Sequence, residues 1–549
     1  MHARNLLSVL VLSAIVAAAE PASTELRRSE VGAPLALQHQ HETGQPPQKL
    51  GQVSFATSCD PKLAPDFNRA VALLHSFWFG ASATAFTAIA EKDPSCGMAW
   101  WGVAMSRWGN PFAPARPPAA LKEGGTAIAK AVAAGAKTDR ESGLIEAAAT
   151  LFADFETVDQ RTRTVNYERA MERVYKQNPQ DREVAAFYAL SVNQTALPSD
   201  KTYAQQLKAA AILEPIFKEM PDHPGAPHYL IHAYDHPALA ERALPAARSY
   251  AKIAPDAPHA LHMPSHTFTR VGYWQDSIDT NRASADAARK ANSGAEVLHA
   301  LDYQVYAYLQ TAQDAAADKV LAELAQIVAT VNTAEQYGQV AYYAEASMPA
   351  RFALERGQWG QAAALKVRTT AFPYIDAITH FARAVGAARS GGVAAAKEDA
   401  QKLAALHAAL VEKKDEYWAQ QVAIQQKVAG GWISFAEQHK DEALLSLQEA
   451  ARMEDGTDKS AVSPGPLAPA RELLGEMLLE LKRPKEALTE LEAVMKKEPN
   501  RFRTLYLGAR AASAAGDQAK AKKYYASLVK MCAAGNERPE LIEARKHGI

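Results

Sequence analysis

Beyond residue 60 no stretch alternates apolar and polar residues as a strand would. Small and large apolar positions return at a fixed long period instead. Gly475, Ala487 and Leu491 are matched 34 residues later by Ala509, Ala521 and Tyr525. Pro499 closes the first of these units, and Gly516 marks the turn inside the second. The physical content of the pattern is helix packing. Small residues let two antiparallel helices approach, large ones fill the space between them, and proline ends the second helix because it cannot continue one. Gly272-Tyr273-Trp274 and Gly357-Gln358-Trp359 repeat the turn, with Ser277 and Ala362 as the small residues after it. Asp93-Pro94, Ala254-Pro255 and Glu498-Pro499 repeat the end, and Ala443, Leu447 and Ala450 fit a further unit. The period predicts an all-α chain of roughly eight to ten helical hairpins between residues 60 and 535, irregular at 110–215 and 300–430.

Units started at Ala468 and Phe502 place these residues as the tetratricopeptide (TPR) repeat family does, and the chain resembles secreted bacterial members of that family. Leu474-Gly475 takes repeat positions 7 and 8, Leu478 position 11, Ala487 position 20, Leu491 position 24 and Pro499 position 32. The resemblance implies a TPR-type solenoid, and such solenoids bind a protein or peptide ligand in a concave groove. It names no activity, because function resides in a site and not in the fold.

The 549 residues exceed what one core can serve, roughly 250–300 residues, so the chain is a solenoid or several domains. Residues 1–19 read as a signal peptide. A short cationic start precedes the uncharged run Leu6–Ala19, which ends in three alanines and at about 14 residues is too short to span a bilayer. Residues 20–52, rich in Pro, Gln, Ser and Thr, are predicted to be a disordered leader. Helical repeats then occupy 53–220, histidine-rich units 221–310, irregular repeats 311–460 and a TPR pair 461–549. The signal peptide predicts a secreted or periplasmic protein, cleaved near Ala19. A net charge of −1, from 60 Lys+Arg against 61 Asp+Glu, argues against nucleic acid as partner. An oxidising compartment favours a disulfide, and Cys59–Cys96 is the expected pair because each precedes a predicted helix about one repeat apart. Cys532 is expected as a lone buried thiol, the alternative being three unpaired cysteines.

Eight of the 16 histidines fall between residues 223 and 299. In repeat register, His228 and His232 occupy positions 5 and 9 of one unit, and His262 and His266 the same positions of the next, offset by 34 in both cases. In the TPR family positions 2, 5, 9, 12 and 13 face the groove. Spacing i,i+4 stacks both rings of a pair on one helix face, and neighbouring helices roughly 8–10 Å apart bring the pairs within reach of one ion. His228, His232, His262 and His266 are therefore the candidate metal ligands. An all-nitrogen set suits zinc or copper and disfavours calcium or magnesium. Groove position and helix-face spacing add His236, His259, Glu296, His299 and Tyr303 as candidate ligand-binding residues. Histidine at positions 5 and 9 replaces the Lys and Asn of the family's carboxylate clamp, which argues against capture of an acidic peptide tail. His75 and His223 are read as structural.

Two functions fit these residues. One is a secreted scaffold that binds a protein, peptide or other extended ligand in a histidine-lined groove, with or without metal. The other is a metal-dependent enzyme, such as a hydrolase, with Glu296, Asp235 or Asp302 as base beside a metal-bound water; four histidines on one ion favour a structural metal, three plus water an enzyme. The aromatic run Trp100, Trp101 and Trp108 with Trp78 reads better as core than as a ligand platform, and Lys201 and Tyr203, after the capping residues Ser199 and Asp200, are further groove candidates. No HExxH, GxSxG, phosphate-loop, haem-attachment or Rossmann motif is present, so the catalytic residues stay unassigned.

Overall fold

A computed structural model describes residues 48–113, 116–330 and 334–548. The expected signal peptide and leader up to residue 47 lie outside the described residues. The last residues of the expected leader are held in place: Lys49 N donates to Asp256 Oδ2 at 2.6 Å, Gln52 N donates to Asp222 O at 2.9 Å, and Leu50 is buried.

The described residues contain helices and no strand, arranged as a TPR-like succession of antiparallel hairpins. The two units read most clearly from the sequence form as expected. Ala470–Glu480 pairs with Pro484–Lys497, and Phe502–Ala514 with Gln518–Met531. A Cβ on Gly475 would come within 2.7 Å of Leu491 Cγ, so only glycine permits that helix approach. Cys59 and Cys96 form a disulfide with Cα atoms 4.8 Å apart, and Cys532 is free and buried. Trp101 and Trp108 are core residues, the Gly102 beside Trp101 lying against the Phe86 ring.

Seven helices position the histidines: α1 (Ala64–His75), α2 (Arg182–Gln194), α3 (Gly225–Ala233), α4 (Pro258–His262), α5 (Pro264–Val271), α6 (Trp274–Lys290) and α7 (Gly294–Gln310). Asp181 caps α2 by accepting from Val184 N at 3.0 Å. Pro264 divides α4 from α5 because it offers no N–H to the helix. Gly272, at φ +69°, ends α5 where the backbone meets Pro499 O, at 2.5 Å from where a Cβ would stand.

The chain winds back on itself. Trp274 Nε1 donates to Asn500 O at 2.7 Å, and Arg501 reaches Tyr306 Oη, Glu355 and Glu472. Between Lys440–Asp455 and Ala470–Glu480 the repeat is interrupted by a segment, residues 456–469, without a helix. It crosses to the histidine-bearing helices.

Candidate metal centre

The four histidines at positions 5 and 9 do not share one group; the structure divides them two and two. His228 and His232 from α3 join His259 from α4, and His262 and His266 from α4 and α5 join His299 from α7. Within each trio one nitrogen from every ring lies within 4.8 Å of the others. The trios adjoin, with His232 and His266 ring centres 6.0 Å apart and His259 and His262 also 6.0 Å apart.

The outer nitrogens of three rings are committed. His228 Nδ1 donates to the His75 carbonyl at 2.6 Å. His262 Nδ1 donates to Asn281 Oδ1 at 2.7 Å, an amide oriented by its own Nδ2 donating to Ser277 O. His266 Nδ1 donates to Asp235 Oδ2 at 2.9 Å. Each of these bonds places the ring proton on Nδ1 and leaves Nε2 as a lone-pair donor. Among the described residues the Nε2 atoms of His228, His232 and His259 are buried and have no hydrogen-bond partner. His262 Nε2 and His266 Nε2 stand 3.1 Å apart. With both Nδ1 protons committed, two lone pairs face each other there.

Burial drives His228, His232, His259, His262 and His299 well below the usual imidazole range, and neighbouring imidazoles push the same way. For His266 burial lowers it as well, with the Asp235 carboxylate acting against the shift. The rings are thus neutral at pH 7, the form that binds metal. Phe77, in the left-handed region at φ +54°, lays its ring 4.3 Å from that of His228 and stacks on His232 and His259, an apolar wall on the first trio.

Groove-facing positions were expected to line an open surface, yet here they are covered. His228, His262 and His266 are at most 2% exposed, and residues 456–469 supply part of the cover. Lys459 Nζ lies 3.0 Å from Asp235 Oδ2, whose other oxygen accepts from Arg270 Nε at 2.8 Å. Burial opposes charge on Asp235, but Lys459, Arg270 and His266 outweigh it and hold the carboxyl well below its usual range. Burial brings the Lys459 ammonium down to about 8. Tyr303 Oη lies 3.3 Å from His266 Nε2 and 3.2 Å from Ser463 O, joining the second trio to the segment.

The remaining candidates separate clearly. Glu296 sits at the first trio, its Oε2 buried with no hydrogen-bond partner among the described residues and 3.9 Å from His259 Nδ1, and burial raises the carboxyl. His236 stands outside both trios, 3.1 Å from Asp458, which also takes Lys201 Nζ at 2.9 Å, while the Tyr203 ring packs 4.8 Å from His236. Asp302 faces Arg351 at 3.8 Å rather than the imidazoles. His75 and His223 both meet Glu183, at 2.8 and 3.2 Å, in a separate buried group.

Asn281, Phe77 and Lys459 belong to the site although no sequence pattern marks them, and Asp458 stands beside it with His236. Lys459 lies 224 residues from Asp235, beyond any local pattern. The one available signal was the break in repeat spacing at Gly456–Pro469, since long irregular connections in compact proteins are uncommon and are usually either functional or linker segments.

No known family profile matches the sequence, and no curated protein matches it. Among solved structures, a human IFIT1 dimer with PPP-AAAA matches at TM-score 0.37 and 12% identity, covering 78% of this chain and 89% of that one. A human IFIT1 dimer with m7Gppp-AAAA matches at TM-score 0.33 and 11% identity, covering 80% and 90%. These values carry nothing toward the site, which rests on its own geometry.

Proposed function

We propose that this helical scaffold is an exported, metal-dependent enzyme with a two-ion centre, His228, His232 and His259 holding one ion and His262, His266 and His299 the other. The observation that carries the reading is the facing pair His262 Nε2 and His266 Nε2, 3.1 Å apart with both outer nitrogens already donating. Two lone pairs in that arrangement repel, and an ion bonded to both at roughly 2.0–2.1 Å removes the repulsion. Hydrogen bonds from Nδ1 to a carboxylate, an amide oxygen and a backbone carbonyl are the outer contacts that orient metal-ligating imidazoles. The donor set suits copper or zinc.

Three protein ligands per ion leave a position for water or substrate, which favours catalysis over a closed structural site. The inward oxygen of Glu296 beside His259 is suited to take a proton from a molecule held there. The cover over the imidazoles favours a small substrate above an extended peptide. The Cys59–Cys96 disulfide supports export to an oxidising compartment.

The test is elemental analysis of untagged, mature protein, as isolated and after separate incubation with zinc and copper. About two equivalents of one of these ions are expected. Protein that retains no stoichiometric ion under either condition would rule the reading out.

A further inference from the structure

The segment that meets Asp235 and Tyr303 also lines a cleft of about 110 Å³ on the side of the helices Pro373–Arg389 and Glu416–Ala436. Its wall is aromatic. Tyr374 and Trp418 stack at 4.0 Å with their planes 9° apart, Tyr417 stands edge-on to Trp418 at 4.9 Å, and Tyr343 lies 6.1 Å from it. This volume is on the scale of the apolar cavity of about 150 Å³ that takes up benzene.

Polar groups converge on the same space. Gln425 lines the cleft, and its Oε1 is buried with no hydrogen-bond partner among the described residues. Gln421 Nε2 donates to Thr457 Oγ1 at 3.1 Å, which fixes that amide and leaves its oxygen as an acceptor. A mostly apolar pocket with a few placed polar groups is the usual form of a small-molecule site. The cationic groups on the wall already donate within the protein, Lys497 to Glu454 O and Thr457 O, Lys459 to Asp235 and Arg471 to Asp455, whereas Gln425 Oε1 is an acceptor left open, so the matching ligand brings a donor. A buried amide oxygen without a partner is costly, and a ligand N–H that meets it removes that cost.

We propose that this cleft binds a planar aromatic or heteroaromatic small molecule bearing a ring N–H, its ring among Tyr343, Tyr417 and Trp418 and its N–H donated to Gln425 Oε1. The site is separate from the imidazole centre and does not depend on metal there. Lys459 borders both, so its backbone segment is the physical connection between them.

The test is calorimetric titration of the mature protein with indole and with benzofuran, which has the same shape but no N–H. Indole is expected to bind at one saturable site, about tenfold or more tighter than benzofuran, because an unpaired acceptor rejects the analogue that lacks the donor. In Gln425→Leu the two rings should bind alike. Ala493→Phe, at a partly exposed position on the cleft wall, should weaken indole about tenfold or more with an unchanged helical melt. His232→Ala should leave indole binding unchanged even where it reduces metal content, which separates this proposal from the metal reading. Absence of saturable heat with either ring, equal affinity of the two rings for the wild type, or full indole affinity in Ala493→Phe would overturn it.

Discussion

Two groups of buried histidines lie close together in this protein, and their chemistry is opposite. In the first, His75 Nε2 donates to Glu183 Oε2 at 2.8 Å and His75 Nδ1 accepts from Tyr229 Oη at 2.8 Å. His223 Nδ1 accepts from Ala226 N at 3.1 Å and its Nε2 donates to Glu183 Oε1 at 3.2 Å. Every ring nitrogen there is satisfied. In the second, six imidazoles meet, and those with a committed nitrogen have spent only the outer one. Burial is equal or nearly so, and in the closed group as in each trio the ligand-type atoms lie within 4.8 Å of one another. Proximity and burial therefore do not distinguish a metal centre from a structural network. The distinction lies in which lone pairs remain after the protein has made its hydrogen bonds. The two groups also touch, because the His75 backbone oxygen orients His228, so the closed network braces the open one.

The largest effect should come from opening the closed group. Glu183→Ala leaves two buried imidazoles without their acceptor and should cost about 3–5 kcal/mol of stability, the usual penalty for breaking a buried pair. Chemical denaturation measures it, and a loss below about 1 kcal/mol would show that the network is not a brace.

Next, His232→Ala and His262→Ala should each remove about one equivalent of metal, with no more than about 2 kcal/mol lost in metal-free protein. Loss of both equivalents from either single variant would merge the trios into one site. A smaller change is expected from Asp235→Asn, which keeps the shape but weakens the orientation of His266; metal affinity should fall about 10–100-fold. An unchanged affinity in a chelator competition would remove Asp235 from the site.

The smallest effect concerns pH. Three ordinary imidazoles would lose about eightfold in metal affinity at pH 6.5 through protonation. The trio imidazoles lie below that range, so affinity should drop less than about threefold between pH 7.5 and 6.5 and steeply only further down. In metal-free protein the sign for stability follows from the same shift. The unfolded chain takes up protons near pH 6.5 that the folded chain refuses, so stability falls as pH drops below about 6.5. A stability rise on acidification there would contradict it.

The fold was legible because its determinants are local and periodic. Gly475 against Leu491 is a contact 16 residues apart, and a 34-residue register displays it twice. The disulfide followed from the same period. The histidines are visible as residues, His259 and His299 among the groove and helix-face positions, but their grouping is not. Repeat position says which way a ring points, whereas the trios depend on a kink at Pro264 and on α7 entering beside α4. The cover was invisible for a stronger reason. Lys459, Asp458 and Ser463 reach the site through contacts between parts of the chain that no periodic pattern relates, and the expectation of an open groove failed there.

The return of the chain upon itself has a consequence for how it folds. An ordinary solenoid approximates a one-dimensional array in which each unit senses only its neighbours, and folding can begin anywhere and spread. Here Trp274 is bonded to Asn500, Arg501 to Glu355, and Arg538 to Asp314 across 224 residues. Such ties raise the contact order and couple distant units into one cooperative transition. A chain emerging from its N-terminus holds the histidine helices long before the residues that cover them, and so completes that region only when residues 456–469 arrive.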